Sequence, residues 1–212
     1  MLKITEIYPA IQGETSFAGL PCMIVRLAGC NLDCSWCDTP QKDEISREMS
    51  IEEILESCRM FPHKLVLVTG GEPLLQEETS SLLSELARAG YRVLLETNGS
   101  LPLPRLSPGV TVILDMKCPS SGMADRMNPE NIGKLRTGDE IKFVICDRED
   151  FDFALGMVKQ HRLCEKTGVL FSPEFERMKS DALAEWILES GLPIRLNLQI
   201  HKLIWGAGAR GR

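Results

Sequence analysis

MIVRLAGCNLDCSWCDTP, Met23 to Pro40, joins two kinds of sequence without a break. Met23–Leu27 is mostly apolar, as in a strand buried on both faces. The loop after it holds three cysteines, Cys30, Cys34 and Cys37, in C-x3-C-x2-C spacing. A structural zinc site takes four ligands, usually Cys or His. No second C-x2-C pair stands nearby, and His63, His161 and His201 are distant in sequence. Only a remote ligand would complete a zinc site. The better reading is a cubane iron–sulfur cluster, for which thiolates are the standard ligands. Three cysteines then hold three irons and leave the fourth open to a small molecule.

Runs of the same β-rich kind recur at Leu65–Val68, Arg92–Leu95, Val110–Leu114, Ile141–Ile145, Val169–Phe171 and Ile194–Leu198. Helical segments lie between them. Ser50-Ile51-Glu52-Glu53 is a capping box that opens a helix to about Met60. Leucines at helical spacing predict a helix from about Gln76 to Ala89, stopped by Gly90. Glu149–Leu163 and Lys179–Ser190 read as two more, the second closed by Gly191. A short helix is weakly signalled between Gly122 and Gly138, and Leu2–Tyr8 alternates like an extra strand. Strand then helix, about six times over, predicts an α/β fold with a parallel sheet and right-handed crossovers. A doubly wound sheet and an open, partial β/α barrel fit this pattern alike. In both, ligands sit at the carboxyl ends of the strands.

The bulk numbers agree with one domain spanning residues 1–212: 212 residues, 43% of them hydrophobic. A net charge of −6 and 6% aromatic residues speak against a nucleic-acid partner. No apolar stretch is long enough for a bilayer, and MLKITEIYPA lacks the pattern of a signal peptide. The expected location is cytoplasmic, where thiols stay reduced. Cys22, Cys58, Cys118, Cys146 and Cys164 then read as small buried hydrophobes.

Polar and glycine-rich sequence collects after the strands. Thr69-Gly70-Gly71-Glu72-Pro73 follows the second run, Glu96-Thr97-Asn98-Gly99 the third and Asp115–Ser121 the fourth. Ser172-Pro173-Glu174 follows the sixth and Gln199-Ile200-His201-Lys202 the last.

The cysteine spacing after a first strand resembles the signature of the radical S-adenosylmethionine (SAM) superfamily, and TGGEP resembles its GGE motif. The resemblance implies a partial, open β/α barrel of about six parallel strands. It implies a 4Fe-4S cluster on Cys30, Cys34 and Cys37, with SAM chelated to the open iron and cleaved to a 5′-deoxyadenosyl radical. Glycines such as Gly70 and Gly71 let backbone approach a ligand closely, and Glu72 would pair with the methionine ammonium.

Four further features resemble the 7-carboxy-7-deazaguanine synthase family: Ile11–Thr15 (IQGET), Arg26 in the first strand, Cys37-Asp38-Thr39, and Asp115–Met123 (DMKCPSSGM). With NLQIHKLIWG, the resemblance covers almost the whole chain. It implies conversion of 6-carboxy-5,6,7,8-tetrahydropterin to 7-carboxy-7-deazaguanine with loss of ammonia. The radical takes hydrogen from C6, and SAM is regenerated. Mg2+ is implied at the Thr39 hydroxyl, as are a flavodoxin or ferredoxin electron donor and a homodimer.

Carried over residue by residue, SAM is expected at Trp36, Cys37, Asp38, Gly71, Glu72, Glu96, Asn98, Lys117, Ser120, Ser121, Ser172 and Glu174. The pterin is expected at Ile11, Gln12, Gly13, Glu14, Arg26, Thr69 and His201. An arginine fork suits the carboxylate. Plain alternatives stand beside these roles: turn residues for Gln12 and Glu14, an ion pair for Arg26, a turn cap for Thr39, a satisfied histidine for His201. Two departures stand out. Thr15 replaces the last glycine of QGEG, which predicts a loop less free to take positive φ. The chain ends GAGARGR where some relatives place a terminal carboxylate on the substrate, so a disordered tail is expected here. Two rivals remain: an activase that takes hydrogen from a partner protein's glycine, and a non-catalytic zinc-binding module.

Overall fold

The computed structural model describes residues 1–211; Arg212, the end of the tail, lies outside them. The strands are β1 (Leu2–Ile11), β2 (Pro21–Leu27), β3 (Arg47–Met49), β4 (Leu65–Gly70), β5 (Arg92–Thr97), β6 (Val110–Met116), β7 (Glu140–Ile145), β8 (Gly168–Pro173) and β9 (Arg195–Leu196). They form one sheet in the order β3-β1-β2-β4-β5-β6-β7-β8-β9. From β2 to β9 every neighbouring pair is parallel. A doubly wound sheet would reverse its strand order midway. From β2 to β9 the order never reverses, which is the winding of a barrel, left open because among the described residues the edge strands do not pair with each other. The expected extra strand is β1, antiparallel to β2. The three-residue β3 is too short to stand out as a run in the sequence.

Helices α1 (Ile51–Arg59), α2 (Thr79–Arg88), α3 (Glu130–Lys134), α4 (Arg148–His161), α5 (Ser180–Ser190) and α6 (Ile200–Trp205) complete the fold. The capping box forms: Ser50 Oγ accepts from Glu53 N, and Ser50 N donates 2.7 Å to Glu53 Oε2. Gly191 closes α5 at φ 66°.

Three expectations need correction. No helix joins β5 to β6. That link carries Pro102, Pro104 and Pro108, which lack the donors a helix needs. Asn131 of α3 bonds its backbone instead, at Leu101 O, Leu103 N and Gly99 O. The last run, expected over Ile194–Leu198, shortens to two residues and gives way to α6. Thr15 takes φ 69° although it is not glycine.

The outer face of the sheet packs on the helices. Met23, Val25, Val66, Val68, Val93 and Leu95 meet Ile54, Leu55 and Leu82. Val112, Leu114, Phe143 and Phe171 meet Phe151, Ala154 and Leu183. These side chains are almost wholly withdrawn from water, each worth about 1.5–3 kcal/mol of transfer free energy for a large aliphatic or aromatic group.

Candidate active site

The inner face of the sheet is layered along its strands. Cys22, Ile24, Leu65, Leu67, Leu94 and Ile113 form a dry layer. Two residues further along four of those strands stand Arg26, Thr69, Glu96 and Asp115. A strand returns a side chain to the same face every second residue, so the apolar layer is followed by a polar one. Register sets Arg26 beside Thr69 and Asp115 beside Lys142. All five line a single cavity at the carboxyl rim of the sheet.

Lys142 is the hub of the polar layer. Its Nζ lies 2.8 Å from Glu14 Oε2, 2.5 Å from Glu96 Oε1 and 3.4 Å from Asp115 Oδ2, with only 5% of the side chain exposed. Lys117 Nζ adds a contact of 3.0 Å to Asp115 Oδ2. Burial alone would discharge Lys142, yet Asp115, Glu14 and Glu96 hold its pKa well above the ordinary lysine value. Asp115 is pushed up by burial but pulled down further by Lys117 and Lys142. Glu14 likewise ends low, through Lys142 and a 2.7 Å bond from Gln199 Nε2. Glu96 is the exception: burial, with repulsion from Glu14 and Asp115, outweighs Lys142 and raises it. Three carboxylates share two lysines here, and the excess negative charge settles on Glu96 as a readiness to bind a proton.

Another wall of the cavity is the cysteine loop. Cys30, Cys34 and Cys37 all line the cavity. Backbone groups hold the loop: Gly29 N donates 2.7 Å to Lys42 O, Ser35 N 3.1 Å to Ser121 O, and Cys37 N 3.2 Å to Cys34 O. Glycine is required at Gly71, where a Cβ would stand 2.7 Å from Cys30 Cβ. Asn98 Nδ2 lies 3.9 Å from Cys30 Sγ, close enough to donate to sulfur. Among the described residues no trio of His, Cys, Asp or Glu side chains surrounds one ion-sized point. The donor set is three soft thiols on one cradle without a fourth cysteine in the wall, which fits a 4Fe-4S cluster with one iron left for a ligand.

Most of the expected site residues meet in this cavity. Ile11, Gln12, Gly13, Glu14, Arg26, Thr69, Gly71, Glu96, Asn98, Lys117, Glu174 and His201 line it with Trp36, Asp38 and Thr39. Arg26 Nε lies 3.2 Å from Glu6 Oε2. Thr69 Oγ1 donates to Glu96 Oε2 at 3.4 Å and Thr39 Oγ1 to Asp38 Oδ1 at 3.3 Å. Lys202 Nζ lies 2.9 Å from Asp38 Oδ2 and, despite the cost of burial, holds that carboxyl far below its usual range. Burial lowers the His201 pKa, helped by Lys202 and Lys142, so its ring is neutral at neutral pH. The ring packs so closely on Gly13 that a Cβ there would collide with it.

Four expected residues do not reach the wall. Glu72 is fully buried, and its carboxylate accepts from Leu74 N, Thr97 Oγ1 and Asn98 N. The Ser120 hydroxyl donates to Asp150, and Ser121 Oγ donates 2.6 Å to Cys118 O. Ser172 Oγ accepts from Asn197 Nδ2. It is the carbonyls of Ser120 and Ser121 that touch the cysteine loop, through Ser35. Glu174 reaches the cavity, but its Oε2 also caps the turn at Glu176 N and Arg177 N.

Lys142 carries no motif in the sequence, and Gln199 stands out there only as part of the last rim segment. A lysine inside the run Ile141–Ile145 was the available signal, since a strand buried on both faces has no place for an unpaired cation. Of the isolated cysteines, Cys22, Cys58, Cys118 and Cys146 are buried and Cys164 is half-buried.

The comparisons with known proteins agree with this geometry. Residues 24–130 match the model of the Radical SAM superfamily, and the chain belongs to that superfamily. The 7-carboxy-7-deazaguanine synthase of Koribacter versatilis is 45% identical, over 99% of this chain and 100% of its own. That of Chlorobaculum tepidum is 43% identical, over 99% and 97%. Within the superfamily the chain therefore belongs to the 7-carboxy-7-deazaguanine synthase family. In fold it is similar to the crystal structure of QueE from Escherichia coli, with a TM-score of 0.78 at 22% identity over 93% of each chain.

Proposed function

We propose that the chain is a radical SAM lyase of queuosine and 7-deazapurine biosynthesis, converting 6-carboxy-5,6,7,8-tetrahydropterin to 7-carboxy-7-deazaguanine and ammonia. Substrate less ammonia equals product, so the overall reaction consumes no electrons. The observation that carries the reading is that one cavity is lined both by the three-cysteine loop and by Arg26, Gln12 and the polar layer.

Cys30, Cys34 and Cys37 would hold the cluster, with SAM on its open iron. When bound, the pair supplies one-electron chemistry that removes a hydrogen atom. The chain's own part is to bind and orient the pterin. Arg26 offers a planar cation to the carboxylate. Three buried polar atoms of cavity residues lack a protein partner: Gln12 Nε2, Trp36 Nε1 and Asp115 Oδ1. Two are donors and one is an acceptor, and a buried polar atom costs about 1–3 kcal/mol if left unpaired. The donor- and acceptor-rich edges of a pterin and an adenine would satisfy them. Glu96, its carboxyl raised towards the neutral form by burial, lines the same rim beside Thr69, where it would contact SAM. Mg2+ would sit at the Thr39 hydroxyl with substrate oxygens, in keeping with its preference for oxygen ligands and retained waters.

A flavodoxin or ferredoxin would deliver the electron, and the exposed Cys37 side of the loop is the natural approach. A homodimer in the cytoplasm is the setting we propose, with all eight cysteines as free thiols in the described structure. No helix among the described residues is long and apolar enough to cross a membrane.

The test is anaerobic reconstitution followed by incubation with the carboxytetrahydropterin, SAM, Mg2+ and dithionite. The product should have the mass of 7-carboxy-7-deazaguanine, with one ammonia for each. Hydrogen transfer to SAM-derived products with the pterin left intact would overturn the reading.

A further inference from the structure

Glu14 sits in a segment held from both sides. Gly13 O accepts from Ile200 N at 2.9 Å, and Ser16 N donates 3.0 Å to Glu140 Oε1. Between them Thr15, which is buried, takes φ 69°. For a β-branched residue that conformation is strained and persists only where its surroundings enforce it. The enforcing contact is Asn197. Its side chain is buried and both ends of its amide are used. Oδ1 accepts from Thr15 N at 2.8 Å, and Nδ2 donates 2.8 Å to Ser172 Oγ. Its own N donates 2.9 Å to Phe171 O of β8, fixing it to the sheet.

We infer that Asn197 is a positioning residue for pterin binding: it latches the Gln12–Ser16 segment to the ends of β8 and β9 and so sets where Glu14 stands in the cavity. Without the latch, Thr15 N loses the one side-chain acceptor that fixes it, and the strain at positive φ favours a turn of the peptide beside Glu14. The Glu14 carboxylate then loses its joint alignment on Lys142 Nζ and Gln199 Nε2, 2.8 and 2.7 Å away. The segment is defined by Thr15 in place of glycine, so this chain needs an external clamp where a glycine would adopt the turn unaided.

The inference rests on the pterin-binding reading above, and the experiment separates the two. Binding of 6-carboxy-5,6,7,8-tetrahydropterin to the anaerobically reconstituted full chain is measured by calorimetry. The proteins are wild type, Asn197→Leu, Glu14→Gln and the double variant. Asn197→Leu should bind about tenfold more weakly, the scale of one hydrogen bond to a charged group. In the Glu14→Gln background the same change should add less than about twofold, because it acts through Glu14. Asn197→Asp keeps an acceptor for Thr15 N and one for the Ser172 hydroxyl, and should stay within about threefold of wild type. Equal losses in both backgrounds, or no loss in either, would overturn the inference. Wild type that fails to bind the pterin overturns the functional reading itself, and the inference with it. Should Asn197→Leu fail to fold by circular dichroism, Asn197→Ser carries the same comparison.

Discussion

On one side of the cavity, Cys30, Cys34 and Cys37 ride on a loop held by backbone hydrogen bonds and by side chains such as Asn31, Ser35 and Lys42. On the other side, Glu14, Glu96, Asp115 and Lys142 hold one another through their side chains. The two walls therefore respond to substitution in different ways. A change of thiol on the loop would remove a cluster ligand and leave the loop's backbone bonds in place. A change in the polar layer leaves the cysteines in place but upsets a buried network in which three carboxylates share two lysines. The difference also teaches that the cysteine wall is written in contiguous sequence, whereas the polar layer is assembled from single residues on separate strands.

The largest effect should come from the loop. Cys34→Ala is expected to lower the iron content below four per chain and product formation to background, with little change in the far-ultraviolet circular dichroism. Retention of a full cluster in this variant would mean that another side chain serves as the ligand.

Lys142→Met should come next. Removing one partner of a buried charge cluster typically costs about 3–5 kcal/mol, and misplacement of reacting groups can cost roughly 100-fold in rate. The pH dependence has a definite sign. The raised Lys142 pKa means its contribution is present at all pH below the ordinary lysine value of about 10.4 and is lost as pH rises through the folded value. In the variant Glu14 and Glu96 have lost their cation and favour the neutral form, while Asp115 keeps Lys117. The stability gap from wild type should therefore narrow as pH falls from about 8 to about 5 in urea unfolding. A gap that stays constant with pH would break the charge-cluster account.

Gly71→Ala probes the joint between the walls. A Cβ there meets Cys30 Cβ at 2.7 Å, and overpacking of this kind costs about 1–3 kcal/mol. Iron content after reconstitution should fall with it, and thermal unfolding read beside an iron assay checks both.

The smallest effect belongs to a site remote from either wall. Ser50→Ala removes the cap of α1 and should cost about 1 kcal/mol in urea unfolding, with iron content and turnover unchanged. A loss of turnover would show that α1 bears on the site.

Much of the fold was legible because its signals are local. The Ser50–Glu53 box, the stop at Gly191 and the apolar runs of β2 and β4 through β8 each lie within a few neighbouring residues. The strand order was not local: only pairing across the chain separates an open barrel from a doubly wound sheet. The three-residue β3 and the two-residue β9 are held by their partners more than by their own composition. For the site, the cysteine loop and the Gly70-Gly71 turn announced themselves as motifs. Lys142 did not, because one charged residue in an apolar strand acquires meaning only from the carboxylates that other strands bring to it. Glu72, Ser120, Ser121 and Ser172 went the other way. They belong to motifs, yet the fold uses their side chains to brace the loops that form the wall.

We propose that the two walls have separate duties, the loop holding the cluster and the polar layer placing the pterin at Glu14 and SAM at Glu96. The most direct test is to assay iron and acid-labile sulfide in purified, folded Lys142→Met beside its yield of 7-carboxy-7-deazaguanine. The account predicts a full cluster with product down roughly 100-fold. Cluster and product lost together, or product made at the wild-type rate, would contradict it.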